Sequence, residues 1–88
     1  MSNSFNLLFT NKAYKEVKKL DQDVQRQIID AAEDLLRDPR PQNSRQLRGE
    51  LSNYRRLRTG DYRVIYQIKD KELEIVVVRA GHRKDIYD

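Results

Sequence analysis

Tyr54-Arg55-Arg56-Leu57-Arg58-Thr59-Gly60-Asp61-Tyr62-Arg63-Val64-Ile65-Tyr66 is the stretch that decides the fold of this chain. Tyr54 to Arg58 and Tyr62 to Ile68 are rich in β-branched and aromatic residues, which fit a pleated surface, so they read as strands. Thr59-Gly60-Asp61 is short enough to join them as an antiparallel hairpin. Side chains alternate across a strand, which puts Tyr62, Val64, Tyr66 and Ile68 on one face and Arg63, Ile65 and Gln67 on the other. A third strand, Leu73 to Ala80, follows the short link Asp70-Lys71-Glu72. It is apolar on both faces along Ile75-Val76-Val77-Val78, which predicts a central position in the sheet.

Working outward toward the N-terminus, Phe5-Asn6-Leu7-Leu8-Phe9 is a short apolar strand. Thr10 or Asn11 then caps a helix, because a short side-chain oxygen accepts from the free N–H groups of the first turn. Ala13, Tyr14, Val17 and Leu20 give that helix a narrow apolar stripe. Asp21 stands at the start of a second helix, where Val24, Ile28, Ala31, Ala32 and Leu35 recur at three- and four-residue steps. Asp38-Pro39-Arg40-Pro41 ends it, since proline disfavours a helical residue before itself. The two helices form a hairpin whose apolar stripes need a partner, and the sheet supplies it. The expected architecture is α+β in the order βααβββ, with the helix hairpin on one face of a small, mainly antiparallel sheet. At 88 residues, 1–88 is expected to be a single domain.

The chain carries 18 Lys+Arg against 14 Asp+Glu, a net charge of +4. Residues 1–40 and 69–88 are each balanced. The excess lies in residues 41–68, where Arg45, Arg48, Arg55, Arg56, Arg58 and Arg63 face only Glu50 and Asp61. Lysine would serve solubility equally well, whereas a planar guanidinium forks onto two oxygens, as phosphate recognition requires. A localised basic patch is the footprint of a nucleic-acid surface, of a dock for an acidic protein, or of a solvated face. Absences narrow the field further. Without cysteine there is no disulfide, thiol nucleophile or cysteine zinc site, and the single His82 cannot supply a multi-histidine zinc centre. No apolar run approaches the roughly 20 residues that span a bilayer. Met1-Ser2-Asn3-Ser4 lacks the basic start and apolar stretch of a signal peptide, so the cytoplasm is the expected location.

Strand alternation puts Arg56 and Arg58 on one face, with Arg55 and Leu57 on the other. If Val64 and Tyr66 pack under the helices, Arg63 faces out beside Arg56 and Arg58, and the turn at Gly60 brings the three guanidiniums within about 5–10 Å. Like charges that close repel unless carboxylates or a bound anion offset them. Gly81-His82-Arg83-Lys84-Asp85-Ile86-Tyr87 leaves the last strand with a second polar set. Arg83 offers another phosphate fork, Tyr87 a hydroxyl, and His82 a ring of a type that titrates near neutrality. The plainer alternatives are a hydrogen-bonded structural His82 and a Tyr87 that covers the edge of a core. There is no Ser–His–Asp set and no glycine-rich phosphate loop, and sparse carboxylates argue against a magnesium nuclease or a glycosidase pair. RNA brings its own nucleophile, the 2′-OH. Its transesterification needs cations at the phosphate, a group to take the 2′ proton and one to protonate the leaving 5′ oxygen.

Gln46-Leu47-Arg48-Gly49, the stretch 54–66 and Gly81-His82-Arg83-Lys84-Asp85-Ile86-Tyr87 together resemble the RelE/ParE superfamily of bacterial toxins, the toxic halves of type II toxin–antitoxin pairs. Element order and chain length agree with that resemblance. The RelE branch it implies consists of ribosome-dependent mRNA interferases that cut mRNA in the ribosomal A site. On that pattern Arg56 and Arg58 take the basic first-strand places, Arg63 binds phosphate, Arg83 lies beyond the last strand, and Tyr87 is the terminal tyrosine. Tyr87 or His82 then serves as base, because arginine stays protonated. Arg45, Arg48, Arg55 and Lys84 are expected to hold RNA. The implied partners are a cognate antitoxin, the ribosome and mRNA, with no metal, cofactor or membrane. The ParE branch, which poisons DNA gyrase, and a non-enzymatic nucleic-acid or antitoxin-binding module are the alternatives.

Overall fold

A computed structural model describes residues 5–86. Its elements in chain order are β1 (Asn6–Phe9), α1 (Asn11–Lys18), α2 (Gln22–Asp34), β2 (Ser44–Gln46), a 3₁₀ turn (Gly49–Leu51), β3 (Tyr54–Thr59), β4 (Tyr62–Lys69) and β5 (Glu74–His82). Thr10 caps α1, its hydroxyl accepting from the Ala13 N–H at 3.1 Å. Asp21 occupies the corresponding place before α2 but makes no side-chain cap bond. Gln25 seals the turn between the helices, donating to the Leu20 carbonyl at 2.8 Å. Beyond α2, the Pro39 carbonyl accepts from the Tyr66 hydroxyl at 2.7 Å, which fixes the chain as it leaves the helix layer.

The five strands lie in the order β1-β5-β4-β3-β2. Only β1 and β5 pair in parallel, and the other neighbours are antiparallel. The predicted order therefore gains one strand, β2. Its three residues, Ser44-Arg45-Gln46, are polar and too few to show alternation, and pairing with β3 is what makes them a strand. β5 is interior as its apolar run predicts, yet β4 occupies the middle of the sheet, because β2 extends the far side beyond β3. β5 also starts one residue later than the sequence pattern gives. Leu73 adopts φ 55°, and this left-handed residue ends the turn instead of opening the strand.

Helices and sheet enclose a core of Ala13, Val17, Ile28, Ala32, Leu35, Leu57, Val64, Tyr66, Ile75, Val77 and Ala80. All but Ala80 sit where helical or strand periodicity puts an apolar residue facing the opposite layer, and a bulge in β5 brings Ala80 onto the same face as Ile75 and Val77. Glu16 staples the edge of that core. Its carboxylate accepts from Arg79 Nε at 2.8 Å and from the Ala80 N–H at 3.0 Å, tying α1 to β5. The sheet's other face is not bare. Leu47, Ile65 and Ile86 bury one another there, with Tyr54 and Val78 packed alongside. A register irregularity between Ile65 and Tyr66 helps. Ile65 pairs with Arg79 and Tyr66 with Val77, so Val78 is the extra, bulged residue. No helix among the described residues is long and apolar enough to cross a membrane.

Candidate nucleic-acid interface

The β3–β4 hairpin sets the site. A two-residue turn with glycine first needs positive φ at that residue, and Gly60 has φ 60°. Gln27 of α2 reaches across to hold it, donating to the Thr59 carbonyl at 2.9 Å and to the Thr59 hydroxyl at 3.3 Å. The register that follows pairs Arg58 with Arg63 and Arg56 with Ile65. On the outer side β2 pairs Arg45 with Arg56. Cross-strand partners share a face, so Arg45, Arg56, Arg58 and Arg63 all stand on the face away from the helices. Asn43 braces Arg58 from the edge, its side-chain amide donating to the Arg58 carbonyl at 2.8 Å.

The electrostatics record the crowding. Arg56 is half-buried, and its guanidinium is pushed below the ordinary arginine range, first by burial and then by the like charges of Arg63, Arg58 and Arg45. It remains a cation at neutral pH. Arg56 and Arg58 also line a shallow depression with Arg45, Gln42 and Asn43. Arg63 is half-buried and donates from Nη1 to the Ile86 carbonyl at 3.5 Å. Among the described residues, no group of three or more histidines, cysteines and acids is placed to hold a metal ion.

The other predicted residues divide. Arg83 follows β5 directly, its N–H donating to the Asp61 carbonyl at 2.8 Å, so it sits against the hairpin turn with an exposed side chain. Lys84 is exposed on the same turn, and Arg48 is exposed at the start of the 3₁₀ turn. Arg55 points the other way from Arg56. Its Nη2 donates to the Ser44 hydroxyl at 2.8 Å, which makes it a brace for β2 rather than a member of the arginine face. His82 is likewise off that face. It pairs with Tyr62 while Gly81 pairs with Arg63. Tyr62 packs against the helix-side core. The His82 ring meets the Tyr62 ring edge-on, with centroids 5.4 Å apart. Its Nδ1 accepts from the Lys84 N–H at 3.1 Å. Tyr87 lies outside the described residues.

Three features escaped the sequence reading. The place of Arg45 depends on β2, and the Gln27 clamp depends on how the helix layer lies over the hairpin. Ile86 did leave a signal, as an isolated apolar residue after Arg83-Lys84-Asp85.

This combination of a helix hairpin, a five-stranded sheet and an arginine-bearing outer face defines a class, and comparison with known proteins agrees on it. The family described as the ParE toxin of the type II toxin-antitoxin system parDE matches residues 7–87. Toxin RelG of Mycobacterium tuberculosis is 33% identical over 84 residues, covering 94% of this chain and 95% of the relative. The mRNA interferase toxin RelE of Escherichia coli is 32% identical over 82 residues, covering 92% and 85%. Among solved structures, the toxin–antitoxin complex RelBE2 of M. tuberculosis superposes with TM-score 0.82 at 31% identity over 91% of this chain and 99% of that one. The isolated E. coli RelE toxin gives 0.75 at 28% identity, over 90% and 83%. The chain belongs to the RelE/ParE superfamily of type II toxins.

Proposed function

We propose that this protein is the toxin of a toxin–antitoxin pair and acts as an endoribonuclease of the RelE kind, cutting mRNA in the ribosomal A site. The observation that carries the reading is the convergence of Arg45, Arg56, Arg58 and Arg63 on one sheet face, in two directly facing pairs. Such a face is complementary to a phosphate backbone. In the reaction the 2′ oxygen attacks the adjacent phosphorus and the P–O5′ bond breaks, leaving a 2′,3′-cyclic phosphate and a 5′-OH. Arg56, Arg58 and Arg63, with Arg83 at the end of β5, hold the phosphate and stabilise the charge that builds on its oxygens. Tyr87 exchanges the protons in this reading, since His82 stands on the opposite face and arginine does not give up its proton. Relatives solved as RelB–RelE complexes support a cognate antitoxin as partner. The ParE family match favours one second reading, a gyrase poison that uses the same basic face without RNA chemistry.

One defined mRNA, naked and on ribosomes with an empty A site, separates the two. Cuts that appear only on ribosomes and fail with Arg63→Ala and Tyr87→Phe establish the interferase and its site together. Folded protein that binds ribosomes yet makes no cut, while it blocks gyrase supercoiling, establishes the alternative.

A further inference from the structure

The turn between β2 and β3 is built as a wall. The Leu47 N–H donates to the Tyr54 carbonyl at 3.0 Å, the Leu51 N–H to the Arg48 carbonyl at 3.2 Å and the Ser52 N–H to the Gly49 carbonyl at 3.1 Å. Gln46 locks it from the strand, its side-chain amide donating to the Ser52 carbonyl at 2.9 Å. Gly49 has a left-handed φ of 64°, and a Cβ there would meet nothing within 4 Å, so glycine serves the bend rather than the packing. A turn held in this way keeps Leu51 40% exposed. A lone exposed leucine is ordinary on a protein surface, but this one lines a hollow of about 600 Å³ together with Leu47, Arg45, Arg48 and Arg56. Leu47 is backed by Ile65 and Ile86. Glu50, the acid of the turn, is not among the lining residues. Arg45 and Arg56, register partners, also line the neighbouring depression that holds Arg58. A strand rises about 3.3 Å per residue, which puts Arg58 about 7 Å beyond Arg56. The hollow is therefore continuous with the arginine face.

We infer that this hollow is a nucleobase subsite, which takes the unpaired base of a messenger nucleotide whose phosphate lies on the arginine face. The inference rests on the interferase reading. A phosphate alone calls for cations and gains nothing from two leucines. A base has two apolar faces for leucine and guanidinium planes to cover, and a polar edge for N–H donors to meet. Single-stranded RNA is bound in this manner, with bases splayed out and stacked on side chains. Pockets that bury small ligands measure about 300–1,000 Å³, and this hollow falls within that range. Its lining holds three arginines and no carboxylate, which suits a ligand that arrives attached to phosphates.

The test uses ribosomes programmed with messages whose A-site codon carries 2′-methoxy groups, which removes the nucleophile and leaves binding to be measured. One codon position at a time, the base is replaced by an abasic nucleotide. At one position that change should weaken binding of the wild-type protein about fivefold or more. Leu51→Ser, at an exposed site, should weaken binding to the intact message by a similar factor. With the abasic message it should show no further loss, since both changes remove the same contact. Leu51→Met should keep most of the wild-type affinity. Leu8→Ser, at the comparably exposed leucine of β1 on the far edge of the sheet, should bind like the wild type and keep the abasic penalty. Wild-type affinity in Leu51→Ser protein overturns the inference, as does a wild-type protein indifferent to every abasic substitution. A Leu51→Ser loss that is equal on intact and abasic messages also overturns it, because a ribosomal group then fills the hollow. Cleavage of the unmodified message by the wild-type protein is checked first, and its absence overturns the interferase reading itself and the subsite with it.

Discussion

Arg58 and Arg63 face each other across the hairpin, and few single residues here expose the conflict between stability and binding so directly. Like charges directly opposite on antiparallel strands destabilise the pair. Arg58→Gln therefore removes a repulsion and keeps a polar side chain at an exposed position. The variant should melt about 2–4 °C higher than the parent at low salt, from roughly 0.5 kcal/mol of relieved repulsion. Scanning calorimetry in rising salt checks the cause, since screening should erase the difference. The same variant should bind RNA more weakly. His82 permits an equally sharp statement. If its task is to accept the Lys84 N–H, then Asn, whose side-chain carbonyl can accept in the same place, replaces it. His82→Asn should retain cleavage within about threefold, or ~0.7 kcal/mol, where Tyr87→Phe loses roughly 100-fold or more. Comparable losses from both would return His82 to the chemistry.

At the scale of elements, the β3–β4 hairpin transmits stability to the site through its turn. A Cβ on Gly60 would lie 2.9 Å from Gln27 Nε2, and the left-handed φ of 60° penalises any side chain there. The amide can swing aside, but its bonds to Thr59 are then lost. Gly60→Ala should cost about 1–2 kcal/mol, a fall in melting temperature of roughly 5–15 °C for a domain this small. An unchanged melting curve would show that the turn relaxes without strain. This hairpin was legible in the sequence because three independent signals coincide in it: alternation, β-branched composition and a glycine turn. The helix hairpin was legible from its apolar spacing, and Thr10 from cap chemistry. β2 was not, because a three-residue polar strand has no period and exists through its pairing with β3. The faces of Arg56, Arg58 and Arg63 followed from counting by twos, whereas that of Arg45 waited on β2. His82 lies beyond the predicted end of β5 at Ala80. Extending the strand to His82 is what fixes its face opposite to that of Arg63.

Across the whole molecule, folding separates charges that the linear sequence balances. Residues 1–40 sum to zero, yet Lys12, Lys15, Lys18 and Lys19 fall on α1 and just beyond it, while Asp23, Asp30, Glu33 and Asp34 fall on α2. Glu16, the one acid of α1, is engaged by Arg79 at 2.8 Å. The protein therefore carries two basic surfaces, lysines on the helix layer and arginines on the opposite sheet face. A short single strand of RNA cannot cover both at once, so its salt dependence reports which one it uses. Each phosphate contact contributes about 0.7 to the slope of log affinity against log salt for a single strand. Replacing Arg45 and Arg58 together by Gln should flatten that slope by roughly 1.4 for a short naked oligonucleotide. Replacing Lys12, Lys15 and Lys19 by Gln should leave the slope unchanged, because those side chains project from the far side of the helix layer. Fluorescence-anisotropy titrations at four or five salt concentrations suffice to measure both. A slope that falls with the lysines and not with the arginines would move the RNA to the helix layer, and the arginine face would then have to be assigned to a different anion.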